Sequence, residues 1–107
     1  MELDFSKRIK TQSNAAMLPS LAEVAVAYRA AQFIAHNFHN LVKGPTFLED
    51  HEFLGELYGE YEGAYDGCIE RIVAFTGAAD VTGITTKACA AAAQINPNGT
   101  YLLACLC

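Results

Sequence analysis

No run of about 18 to 20 uncharged apolar residues occurs anywhere in this 107-residue chain, so no membrane-spanning helix is expected. The opening MELDFSKRIK has no apolar core before a small-residue cleavage site, and it does not read as a secretory signal. With no export signal, the four cysteines are expected as reduced thiols rather than as a disulfide frame. Bases are few. The 7 Lys and Arg stand against 12 Asp and Glu for a net charge of −5, the reverse of the basic stripe of a dedicated nucleic-acid binder. Internal repeats, low-complexity linkers, glycine-rich phosphate loops, Ser-His-Asp arrangements and zinc-finger spacings are all missing. Apolar residues are not scarce: at 52% they are too abundant for a disordered segment. The expectation is a soluble, cytoplasmic chain with a polar tail over residues 1–17 and a single domain over 18–107.

The domain reads as all-α. Ser20-Leu21-Ala22-Glu23 has the form of a capping box, in which a serine oxygen accepts from a free backbone N–H and the glutamate reaches back to the cap. Neither Gly nor Pro interrupts the stretch from there to Val42. Leu21, Val24, Tyr28, Ala31, Ala35, Phe38, Leu41 and Val42 recur at helical spacing. Gly44-Pro45 ends this first helix. Thr46-Phe47-Leu48-Glu49 repeats the capping-box form and opens a second helix running to about Phe75. Its apolar arc comprises Leu54, Leu57, Tyr58, Tyr61, Tyr65, Cys68, Ile69 and Ile72.

Gly55, Gly59, Gly63 and Gly67 recur every fourth residue on that helix, although each costs about 0.5–1 kcal/mol against alanine. Such a stripe lets another helix approach closely; the plainer reading is a less stable helix. Two long helices and a short turn make an antiparallel hairpin. Beyond Gly77, Thr85 to Gln94 reads as a short helix, Asn96-Pro97-Asn98-Gly99 as a turn, and Thr100 to Cys107 as the start of a further apolar helix. A hairpin with an apolar face left over is expected to associate with copies of itself or with a partner.

The chemistry-bearing residues concentrate in the hairpin. Eight of the twelve acids lie between Glu49 and Glu70, and Glu62, Asp66 and Glu70 form one row along the second helix. Histidines stand at 36, 39 and 51. A solvated acidic face and helix-end histidines satisfied by backbone carbonyls are the ordinary readings. Antiparallel geometry adds another. His39 and His51 fall at nearly the same height beside the turn, whereas Asp66 lies about 22 Å further along the axis on nearly the same side as His51. One chain cannot bring all four to one ion. Two hairpins about a two-fold axis can, placing His39 and His51 of one chain beside Asp66 and Glu70 of its mate, twice per dimer. Two imidazoles and two carboxylates suit Fe(II), Mn(II) or Zn(II), and open coordination positions favour iron oxidation.

The stretch from His39 through Lys43, Gly44, Phe47 and His51 to Glu52 resembles the first signature of Dps-type miniferritins, a ferritin-like family. Asp66-Gly67-Cys68-Ile69-Glu70-Arg71 is similar to the second, and the intervals between His39, His51, Asp66 and Glu70 match the family's metal ligands. The resemblance covers about residues 20–77 and loosely 85–94. It implies the first two helices of a ferritin-like four-helix bundle plus a short connecting helix, with the C-terminal helices cut short. It further implies a two-fold dimer within a shell of twelve, and a ferroxidase centre between subunits. There His39, His51, Asp66 and Glu70 bind iron and oxidise Fe(II) with hydrogen peroxide or oxygen, for iron detoxification, storage and DNA protection. Glu62 becomes an outer ligand or part of an iron path. Asn40 stands where the family commonly has tryptophan, and Gly55 where it often has a carboxylate.

Two other functional classes compete. A structural or assembly protein could retain the hairpin without iron storage, and a DNA-compacting protein could use Lys7, Arg8 and Lys10. His36 reads as an ordinary helix histidine, Cys105-x-Cys107 as incidental, and Cys68 as a core residue.

Overall fold

The structure, a computed structural model, describes residues 19–95. The expected tail, the 96–99 turn and the apolar segment from Thr100 lie outside the described residues. Within them the protein is all-helical, with α1 at Leu21–Leu41, α2 at Phe47–Thr76 and α3 at Val81–Ala93. None of these helices is long and apolar enough to cross a membrane.

Local chemistry sets the ends of α1. The Ser20 side chain accepts from the Glu23 amide at 3.1 Å, and the Ser20 amide donates to the Glu23 carboxylate at 3.0 Å, so the capping box closes in both directions. After Leu41 the chain leaves the helix through an extended Val42, and Gly44 takes a φ of +103°, a conformation that L side chains rarely adopt. The second expected box does not form. Thr46 makes no side-chain cap, because its hydroxyl donates to the Asp50 carboxylate at 2.7 Å instead. At the far end of α2, Gly77 adopts the left-handed conformation and its amide closes on the Val73 carbonyl.

The third helix begins four residues earlier than its sequence pattern suggests. Asp80 accepts from the Gly83 amide at 3.0 Å and thereby starts the helix across Val81-Thr82-Gly83. Ile84, Ala88 and Ala92, each one turn apart, are its buried ridge.

Packing follows the small residues. Ala25 and Ala35 on α1 are fully buried, which lets the neighbouring helices come close to its backbone. Two clusters result. Near the turn, Ala35, Phe38 and Leu54 form a core edged by Ile34, Leu57, Tyr58, Tyr61 and Ile95. Near the open end, Ala25, Tyr65, Cys68 and Ile84 form another, so α3 covers part of the hairpin's apolar surface. Cys68 is a core residue there, as its place on the apolar arc anticipates.

The glycine stripe behaves differently from a packing surface within one chain. A Cβ on Gly59 or Gly63 would meet nothing within 4 Å, and one on Gly67 would meet only the Arg71 side chain. Gly55 alone sits against another helix, through His39.

Candidate metal centre

His39 lies in the last turn of α1 and His51 in the first turns of α2, on either side of the Gly44 bend. The hairpin stacks their rings with centroids 3.8 Å apart and planes inclined at 24°. Their hydrogen bonds are reciprocal. Nδ1 of His39 donates to the His51 carbonyl at 2.8 Å, and Nδ1 of His51 donates to the His39 carbonyl at 3.1 Å. A carbonyl oxygen can only accept, so both Nδ1 atoms carry hydrogen when the rings are neutral. The tautomer is thereby set, leaving a lone pair on each Nε2. None of the hydrogen bonds among the described residues uses either Nε2. Carbonyl-satisfied histidines are therefore what the structure holds, and that satisfaction is also the arrangement that prepares an imidazole to bind a metal.

Neighbouring aromatic rings hold the pair. Phe47, one turn before His51, stacks on it at 5.1 Å, and Tyr58 meets His39 edge-on at 5.3 Å. His36 stacks on Tyr58 at 4.0 Å. Gly55 makes room for His39: a Cβ there would stand 3.2 Å from Cε1 of its ring. The contacts that Tyr58 and Gly55 make with His39 were not anticipated from the sequence. The available signal was their helical offset, since both lie on or beside the face of α2 that carries His51.

Asp66 and Glu70 are exposed on α2, and Glu62 precedes them by one turn. They stand about four to five turns from His51 and do not meet it within the chain. Among the described residues no group of three or more His, Cys, Asp or Glu side chains converges to hold an ion. One chain thus carries a histidine pair at the turn and, apart from it, a row of exposed carboxylates near the open end. His36 belongs to neither; it lines a groove between α1 and α3 with Phe33, Asn37 and Cys89. Comparison with known proteins adds no relative: no family model, no curated protein and no solved structure matches the chain.

Proposed function

We propose that this protein is a miniferritin-type ferroxidase that oxidises Fe(II) with hydrogen peroxide at centres shared between two copies of the chain. The observation that carries the reading is the His39–His51 pair, whose Nδ1–H groups are both tied to backbone carbonyls and whose Nε2 lone pairs are left for a metal. The proposed centre adds Asp66 and Glu70 from the mate, giving borderline nitrogen donors and hard oxygen donors, a set suited to ferrous and ferric iron.

Iron is substrate here. Each of two Fe(II) ions gives up one electron, and the peroxide O–O bond breaks. With two protons the oxygen atoms leave as two waters. The ring stack holds the imidazoles in place, while the exposed carboxylates attract Fe(II) and offset the charge of the Fe(III) product. Glu62, one turn before Asp66, is placed to hand iron along the same row. On this reading the product is stored in a twelve-subunit shell, and removing Fe(II) and peroxide together protects DNA from hydroxyl radicals.

Fe(II) oxidation by hydrogen peroxide under low oxygen tests the proposal, comparing the native chain with His51→Ala plus Asp66→Asn. Fast, saturable oxidation that the substitutions abolish is the expected result. Native and substituted chains that both run at the protein-free rate would overturn it and leave the hairpin as an assembly element. A role for DNA binding by Lys7, Arg8 and Lys10 predicts retention that falls steeply with salt and is lost when the three are neutralised.

A further inference from the structure

The third helix is apolar and largely uncovered. Lys87 is its one charged residue, and its buried residues are Ile84, Ala88 and Ala92. From Ala88 to Cys107 the chain has no Asp, Glu, Lys or Arg at all. Between α3 and α1, toward the hairpin turn, lies an open groove of about 410 Å³ lined by Phe33, His36, Asn37, Cys89, Ala92 and Ala93. No carboxylate, ammonium or guanidinium stands in that lining. The same two helices form a second groove toward their other end, and there Glu23 and Lys87 take part. An uncharged wall suits an uncharged occupant, because a charged side chain laid on it would lose hydration without gaining a partner.

The chain itself supplies one. After Ala93 the Gln94 amide closes on the carbonyls of Ala91 and Ala92, and Ile95 packs against the turn-end core of Ala35, Phe38 and Leu54. The backbone is thus anchored at the groove's own end when it reaches Asn96. From the sequence, Asn96-Pro97-Asn98-Gly99 is a turn and residues 100–107 open an apolar helix without a charged side chain. Five residue steps separate Ile95 from Thr100, so even fully extended they hold Thr100 within about 18 Å of Ile95. A segment on so short a tether meets the groove at an effective concentration on the order of millimolar, which a separate partner has to exceed.

Residue counting sets the register. A turn centred on Pro97 places Cys89, eight residues before it, level with Cys105, eight residues after it. On a helix Leu102, Cys105 and Leu106 share one face, whereas Cys107 stands about 160° round from Cys105. We propose that residues 100–107 of this chain dock in the groove between α1 and α3, with Leu102, Cys105 and Leu106 turned toward it and Cys105 brought beside Cys89. The small side chains at Cys89, Ala92 and Ala93 let the two backbones come close enough for a disulfide. The thiols stay reduced until an oxidant reaches them. With a peroxide, two S–H bonds and the O–O bond break, the S–S bond forms, and the thiol protons leave in two waters. None of this depends on the iron centre proposed above.

The test adds hydrogen peroxide to the dilute, reduced full chain with chelator present, and maps the cross-links by mass spectrometry of the unreduced digest. The expected product is a Cys89–Cys105 disulfide within one chain, lost in Cys105→Ser and kept in Cys107→Ser. A second readout needs no oxidant. Against the described residues alone Cys89 is exposed, so the docked segment should shield it from alkylation. Ala93→Glu sets a carboxylate in the groove at an exposed position and should release the segment. Alkylation of Cys89 should then run at least about tenfold faster, with circular dichroism and melting near native. The new carboxylate by itself disfavours a thiolate, so that gain reads release of the segment. Cys89 joined equally to Cys105 and Cys107, joined only to a cysteine of another chain, or alkylated at one rate in both proteins would overturn the docking.

Discussion

At the turn end of the hairpin, Phe47, His51, His39, Tyr58 and His36 are linked by successive ring contacts beside a core of Ala35, Phe38 and Leu54. At the open end the same two helices are held by Tyr65, Cys68 and Ala25, with Ile84 of α3 inserted among them. There the Arg29 guanidinium lies 3.5 Å over the Tyr65 ring and donates to Gln32 at 2.8 Å. The turn end has its chemistry inside its packing: the histidines that offer lone pairs are held by backbone carbonyls and neighbouring rings. The open end has its chemistry outside, because Asp66 and Glu70 are exposed while the packing runs through the opposite face of α2. Changes near the turn should therefore move stability and reactivity together, whereas changes in the acidic row should move reactivity alone.

Leu54→Ala should give the largest loss of stability, about 2–5 kcal/mol, because Leu54 is fully buried between the helices beside the histidine pair. Chemical denaturation reads the loss, and Fe(II) oxidation should fall with it. Arg29→Ala comes next at about 1–3 kcal/mol. It removes a cation held on an aromatic face and leaves the Gln32 carbonyl, on a side chain only 8% exposed, without its donor. Oxidation per folded chain should be unchanged, since Arg29 belongs to the packing of the open end.

The two caps sharpen the comparison further. Ser20→Ala should cost about 1 kcal/mol, since the hydroxyl accepts from the Glu23 amide. Thr46→Ala should stay within about 0.5 kcal/mol, because Thr46 caps no amide. Asp66→Asn plus Glu70→Gln should have the smallest effect on folding, also within about 0.5 kcal/mol by thermal melting, yet it should bring iron oxidation down to the protein-free rate. Substantial destabilisation by that pair would contradict the division between the two ends.

The parts of this fold that could be read in advance are those fixed by neighbours in sequence. Ser20 and Glu23 are three residues apart and close on each other whatever else the chain does. Gly44 and Gly77 were legible as helix ends because the bends need a positive φ. Thr46-Phe47-Leu48-Glu49 looked the same as the first box, but a competing partner one turn on, Asp50, took the threonine hydroxyl. The start of α3 was obscured by Gly83 in its first turn, the residue whose amide Asp80 captures.

At the site, the meeting of His39 and His51 follows from counting residues across an antiparallel turn. The reciprocal carbonyl bonds, the Tyr58 edge contact and the seating of His39 over Gly55 do not, because they depend on the rotation of α1 against α2 to within a few degrees. Arg29 on Tyr65 is likewise a product of long-range register, the partners standing 36 positions apart in the chain.

The central claim, that the iron centre is assembled from two copies, is tested most directly by complementation. Chains carrying His39→Ala plus His51→Ala are mixed with chains carrying Asp66→Asn plus Glu70→Gln, unfolded and refolded together, and assayed for Fe(II) oxidation by hydrogen peroxide. Neither variant alone should oxidise iron above the protein-free rate. Random pairing makes half of the dimers mixed, and each mixed dimer holds one intact centre, so the mixture should recover about a quarter of native activity. A mixture as inactive as its components, or full activity in either variant alone, would contradict a centre shared between chains.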